Sequence, residues 1–409
     1  MAVLMLKFQV PGASLCAVRR AMRTAAAPAQ PGAQMKRVCR IVRSGTSRIR
    51  ITFDEGPLQI GEQPWPVHEL AFESLAGPPA GLVTVASRWI DRHALWFGTS
   101  ARFALAEDDP HARGTVAGTR LFNTEVSSRL GPDEALSEMV GSCLEQLMPH
   151  AERVAAGIGS PLHLHQTRVA LRRLRTALRV FGSWGSTLDP RWDGVLRDVF
   201  RRLGAARDSD AIAAALAPEL AAAGAPPVDL PGRAQRESPA QVLQGRAFNR
   251  VLTELIVFAG SAPVGPRHSH KPPHPPAHGR SLKRRASALL NRLHRQVMRD
   301  TPGFLAADDA TRHRTRKRLK RLRYSVEFVA PLFKDKAVAR YLKPLCKALD
   351  ALGALNDLNV ADPLYRAQLP ADARAWFAVG WIAARRASCL QEGSTALNAF
   401  GRARRFWES

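Results

Sequence analysis

Acidic residues are scarce in this chain of 409 residues: 35 Asp and Glu stand against 60 Lys and Arg, leaving a formal charge of +25. Colloidal stability needs no such excess, so an acidic partner is implied. Aromatic residues are also few, at 7%, which leaves little surface for stacking nucleic-acid bases. The five cysteines (Cys16, Cys39, Cys143, Cys346, Cys389) lie far apart and form no Cys-x-x-Cys pair. That spacing argues against a zinc ribbon or a disulfide framework and for a reducing compartment. No run approaches the roughly 18 uninterrupted apolar residues of a membrane span. Arg19 and Arg20 follow the apolar start instead of preceding it, the wrong order for a signal peptide. A cytoplasmic protein with no membrane partner is expected.

An apolar content of 45% is enough to bury cores, and the length allows two or more domains. Residues 1–110 carry strand patterns at Ser47 to Phe53 and Val67 to Phe72, a turn signal at Asp54-Glu55-Gly56-Pro57, a helix from Pro79 to Leu95 and a last strand at Ala101 to Leu105. This is a small α+β domain, with 111–131 as linker. From Pro132 the period changes: Leu136, Met139, Val140, Cys143, Leu144 and Leu147 form one helical stripe. Helical patterning then runs through 132–409. It is broken at Pro226 to Pro231 and by the Pro/His-rich stretch 261–279, whose four histidines read as linker and not as a metal site.

The helical part is built twice. The segments 165-HQTRVALRRLR-175 and 313-HRTRKRLKRLR-323 are identical at seven of eleven positions, with an Arg/Lys exchange at an eighth. A second pair, 203-LGAARDSD-210 and 352-LGALNDLN-359, recurs at an offset of 149 residues against 148 for the first. The halves are about 132–260 and 280–409, a mainly α architecture of two pseudo-twofold-related bundles.

At 100° per residue, His165, Arg168, Arg172, Arg175 and Arg179 share a sector of about 80°, opposite Leu171, Leu174, Leu178 and Phe181. His313, Arg316, Lys320 and Arg323 do the same opposite Leu319, Leu322 and Val326. Arg173, Lys317, Arg318 and Arg321 widen the two sectors, and Tyr324 lies beside the second. No acid occurs between Arg168 and Arg179. A solvated helix face normally alternates sign, and like charges one turn apart cost roughly a few tenths of a kcal/mol per pair. A counter-charge is therefore required, either a ligand or aspartates such as Asp208, Asp210 and Asp357. Arginine forks pair bidentately with phosphate oxygens and lysine adds point charge. Each leading histidine can contact phosphate when protonated or serve as a polar structural group.

These residues, with Gly380-Trp381 and the closing Phe406-Trp407, resemble the CHAD domain, the conserved histidine α-helical domain, over about residues 130 to 409. The resemblance implies two four-helix bundles and binding of inorganic polyphosphate to the basic surface between them. The implied contacts are His165, Arg168, Arg172, Arg173, Arg175, Arg179, His313, Arg316, Lys317, Lys320, Arg321, Arg323 and Tyr324. It also makes polyphosphate granules a candidate location. Residues 1–110 resemble a shrunken CYTH domain, the triphosphate tunnel fold often joined to CHAD. Where that family has Glu-x-Glu-x-Lys, this chain has Val3-Leu4-Met5-Leu6-Lys7. A later acidic strand survives as Glu69 and Glu73 without its central acid, and several of the tunnel's strands are missing between about Pro28 and Arg48.

Val3 and Met5 offer no oxygen to a hard cation, so no catalytic residue, metal ligand or cofactor is assigned and no triphosphatase activity is expected. Two readings compete with polyphosphate binding. One is non-specific nucleic-acid binding, disfavoured by basic faces without Phe, Tyr or Trp. The other is a metal-dependent triphosphatase, disfavoured by the missing carboxylates.

Overall fold

The computed structural model describes residues 5–22, 35–60, 63–98, 124–185, 188–205, 216–230, 237–260 and 278–408. The strand expected at Ala101 to Leu105, most of both linkers, Val3, Asp208 and Asp210 lie outside them. The described chain is mainly α, preceded by a small antiparallel sheet domain. It divides into two compact units: Met1–Asn123, Leu136–Leu203 and Glu237–Ser269 form the first, and Thr124–Ala135, Gly204–Arg236 and His270–Ser409 the second.

In the first unit, β1 (Met5–Gln9), β2 (Lys36–Ser44), β3 (Ser47–Ile60), β4 (Gln63–Ala76) and β5 (Trp96–Phe97) form an antiparallel sheet in the order β2-β3-β4-β1-β5. A short helix, α1 (Leu15–Met22), follows β1. Period-two alternation turns Leu6, Phe8, Ile49, Ile51, Phe53, Leu70 and Phe72 inward. They meet α2 (Pro79–His93), where Trp89 stacks edge-on against Phe72 at 6.0 Å. Gly81 lets α2 approach, since a Cβ there would lie 2.3 Å from that of Ser47. Within the stretch 28–48, where several of the tunnel's strands are expected to be missing, strand β2 pairs with β3 from Lys36↔Glu55 to Ser44↔Ser47.

Four longer helices complete this unit: α3 (Pro132–Ala155), α4 (Pro161–Phe181), α5 (Arg191–Ala205) and, after the short α6 (Pro239–Gln244), α7 (Arg246–Gly260). The stripe on α3 from Leu136 to Leu147 is buried as its period requires. The sheet domain is docked on the helices rather than tethered to them. The buried Asn249 of α7 accepts from the Phe97 backbone N–H at 2.9 Å and gives its amide protons to the carbonyls of Leu243 and Gly245. Arg250 pairs with Asp91 of α2 at 3.3 Å. The first compact unit accordingly holds both the sheet and these helices.

The second unit holds α8 (His278–Met298), α9 (Asp309–Val329), α10 (Asp335–Gln368) and α11 (Ala375–Gly401). Its core includes Phe400, Tyr341 and the closing Phe406 and Trp407, grouped around the buried His294. His294 Nδ1 lies 2.9 Å from Tyr341 Oη, and Trp407 Nε1 donates to Asn291 at 2.8 Å. Burial, with nearby Arg405, pushes the His294 pKa down to about 4, so the ring is neutral at physiological pH. Part of the first linker packs here too, Thr124 donating to the Phe328 carbonyl at 3.1 Å.

Candidate polyanion-binding site

Helix α4 begins at Ser160, whose backbone N–H donates to His163 Nδ1 at 3.0 Å, with Pro161 in the first turn. Leu171, Leu174, Leu178 and Phe181 are buried, and the opposite face carries exposed His165 and Arg179 with half-buried Arg168, Arg172 and Arg175. That division fits the helical wheel, but part of the counter-charge comes from the protein itself. Asp193 of α5 takes Arg175 Nε at 2.9 Å and stands 3.9 Å from Arg179 Nε. The guanidinium carbons of Arg168 and Arg172 sit 5.5 and 5.1 Å from the centre of the Phe200 ring, also on α5. Such stacking leaves guanidinium edges able to donate. An aromatic ring therefore does border this face, with arginines over it.

Arg173 corrects the widened sector. It is 1% exposed, on the flank of α4 that faces Cys143 of α3. Burial pushes the Cys143 thiol up to about 12 even with that guanidinium beside it. Arg173 is an interior residue, out of reach of a long external ligand.

Helix α9 starts at Asp308, whose carboxylate caps the Thr311 N–H at 2.8 Å. Leu319, Leu322 and Val326 are buried, while His313 and Lys317 are exposed and Arg316, Lys320, Arg321 and Arg323 half-buried. The two repeated motifs meet here. His313 Nδ1 donates to Asn356 Oδ1 at 2.9 Å, and the other end of that amide donates to Asp357 at 3.3 Å, which fixes its orientation. Arg316 Nη2 lies only 3.8 Å from where a Cβ on Gly353 would stand. Leu352-Gly353-Ala354 thus lies beside a guanidinium of the basic helix, and Asn356 of the same motif orients a histidine.

With Nδ1–H committed to Asn356, His313 Nε2 can donate to an anion only after protonation. Burial holds the His313 pKa below its ordinary value, opposed by the Asn356 bond and reinforced by Lys317, Arg316 and Lys320. Other cations of the helix are already neutralised: Arg323 by Glu327 at 2.8 Å and Arg318 by Asp300 at 2.6 Å. Tyr324 is buried at 9% exposure. It packs in the core and is not on the basic face. Sequence patterning missed Asp193 and Phe200, which lie on another helix, and read the Leu-Gly-Ala repeat without its task. The recurrence of that motif at the offset of the basic segments was the available signal.

The family model described as CHAD domain matches residues 138–366. The chain belongs to the CHAD domain family. Among solved structures, a CHAD domain from the plant Ricinus communis aligns with 72% of this chain and 99% of its own, at 26% identity and a TM-score of 0.55. No curated protein matches the chain. The CHAD match contains both basic segments and both Leu-Gly-Ala motifs, so the repeat is a property of the family region. Among the described residues no helix is long and apolar enough to cross a membrane.

Proposed function

We propose that the protein binds inorganic polyphosphate without turning it over, using the exposed faces of α4 and α9 in the cytoplasm or on polyphosphate granules. The observation that carries this reading is the α9 site: His313, Arg316, Lys317 and Lys320 on successive turns, with Asn356 of α10 holding the first of them in place. Side chains placed in advance lose less freedom on binding, and mixed arginine and lysine suit a run of phosphates. The ligand's identity rests on the family resemblance; charge supplies only its sign. Nucleic acid is the competing polyanion, and Phe200, the ring bordering α4, has guanidinium groups over it.

The sheet domain fits a CYTH-like remnant without catalysis. On the face that would hold metal, Glu73 pairs with Arg50 at 2.7 Å, Glu69 accepts from Gln9 at 3.3 Å, and Met5 stands beside Lys7. Carboxylates committed to protein cations and amides make a poor shell for a divalent ion.

The test is competition of labelled polyphosphate with DNA at equal phosphate concentration and about 150 mM salt, repeated across salt concentrations. Polyphosphate should resist displacement. Arg316→Ala with Lys320→Ala should weaken it about tenfold and flatten the salt slope by between one and two units. Displacement by DNA at parity, or an unchanged slope, rejects the assignment. Tripolyphosphate with magnesium should release no phosphate above the protein-free rate.

A further inference from the structure

The far end of the second bundle carries a basic pocket that the polyphosphate reading does not use. Phe333, just past the end of α9, lies 20 residues from His313, or about 30 Å along a helical rise. Lys283 from α8, Lys334 and Arg340 from the start of α10, and Arg404 after α11 surround a cavity of about 300 Å³. Its floor is apolar: Phe333 meets Phe406 edge-on at 4.9 Å. None of the lining residues is acidic. Among the described residues none of the four cations makes an ion pair, although Asp335 follows Lys334 in sequence. The neighbouring Arg405 is neutralised by Glu408 at 2.9 Å.

The first bundle serves as an internal control. At its corresponding turn the chain passes from α4 to α5 through Arg191, and there the cation is compensated. Asp189 holds Arg191 at 2.8 Å, Glu254 stands 3.9 Å away, and Glu254 also takes Trp192 Nε1 at 2.5 Å. The bundle architecture therefore does not require uncompensated charge at this end. Three elements bringing four cations to one concavity in the second bundle call for an anion from outside.

Size and floor narrow the ligand class. A volume near the lower limit of about 300–1,000 Å³ for small-molecule sites admits a few phosphoryl groups, not a long chain. A purely inorganic anion would use the cationic rim and gain nothing from the ring beneath it. Lys283 Nζ lies over the Phe333 ring at 5.3 Å, so the ring face already takes a cation from an exposed side chain that a ligand's ring would have to displace. We infer that this pocket binds a compact phosphorylated ligand bearing an aromatic ring, a nucleoside triphosphate by class. Lys334, Arg340 and Arg404 take the phosphates and Phe333 receives the base, Lys283 turning from the ring to the phosphate chain.

Calorimetric titration of the full chain with ATP, tripolyphosphate and adenosine at about 150 mM salt tests this. ATP should bind several-fold more tightly than tripolyphosphate, and adenosine weakly. Lys334→Ala with Arg340→Ala, both exposed and so harmless to folding, should weaken ATP about tenfold. Phe333→Leu should erase the preference for ATP over tripolyphosphate. Lys317→Ala with Lys320→Ala at the opposite end should leave ATP binding unchanged. ATP affinity indifferent to the pocket pair, reduced equally by the distant pair, or no better than that of tripolyphosphate overturns the inference. Long-chain polyphosphate binding is read separately, and its loss in the distant pair alone bears on the proposed function and not on this site.

Discussion

The two basic helices begin from nearly the same eleven residues and finish in different surroundings. On α4 the later arginines are held by an acid from another helix, Asp193, and the earlier ones stack on Phe200. On α9 the matching Arg323 finds its acid one turn along its own helix, at Glu327, while the leading His313 is held by Asn356 and Arg316 passes beside Gly353. Arg173 lies in the interior of its bundle, whereas its counterpart Arg321 is half-buried. What the repeat preserves is the face that carries cations. How each cation is fixed is settled locally, so equivalent substitutions in the two halves should have unequal effects.

The largest inequality is expected at Arg173 and Arg321. Arg173→Ala empties a fully enclosed side-chain volume and should lower stability by about 3 kcal/mol, whereas Arg321→Ala should cost less than about 1 kcal/mol. Removing a buried cation also removes its desolvation cost, so Arg173→Met, which refills the space, should recover much of the loss. Polyphosphate affinity should respond in the opposite order, Arg321→Ala weakening it more. Denaturant unfolding with a parallel binding assay measures both. Equal losses of stability at the two positions would mean that the halves are more alike than their burial indicates.

Arg173 also shows where sequence reading stops. It stands at the same angle on α4 as Arg321 on α9, on the border between apolar and basic faces, and periodicity assigns such a position to neither. Contact with α3 decides it. The stripes Leu171-Leu174-Leu178 and Leu319-Leu322-Val326 were legible because core faces repeat at helical spacing, and so was the duplication. Asp193 was not, being 18 residues from Arg175 on another helix. Nor was the docking of the sheet domain through Asn249, which lies 152 residues from its partner Phe97. Strand β2 escaped because an edge strand rich in arginine and half-exposed on both faces lacks clean alternation.

A second test concerns protons. Free His313 is held below the ordinary histidine value by burial, with Lys317, Arg316 and Lys320 adding to the effect. It is therefore mostly neutral at pH 7. A bound polyanion favours the imidazolium and raises that pKa, so binding takes up a proton. Affinity should rise as pH falls from about 8 through neutrality, by at most about tenfold per pH unit for one proton, and level off below the free-state value. His313→Gln should flatten the profile of the α9 site. Persistence of the full pH dependence in that variant would remove His313 from the contact set. Calorimetry in buffers of different ionisation enthalpy reads the proton directly.

The smallest effect separates the two ways of seating an arginine. Phe200→Leu keeps the α5 core filled but withdraws the ring from under Arg168 and Arg172, each such stack being worth about 0.5–1 kcal/mol at an exposed site. Polyphosphate binding should weaken about threefold as the guanidinium groups lose their fixed orientation. The counterpart at the second helix is Gly353→Ala. Its methyl would meet Arg316 Nη2 at 3.8 Å, ordinary van der Waals contact, so affinity should hold. Gly353→Leu cannot fit beneath the guanidinium and should displace it, with a loss similar to that of Phe200→Leu. If Gly353→Leu binds as well as the parent while Phe200→Leu does not, the seat on α10 is incidental and the stack on α5 alone presents arginines to the ligand.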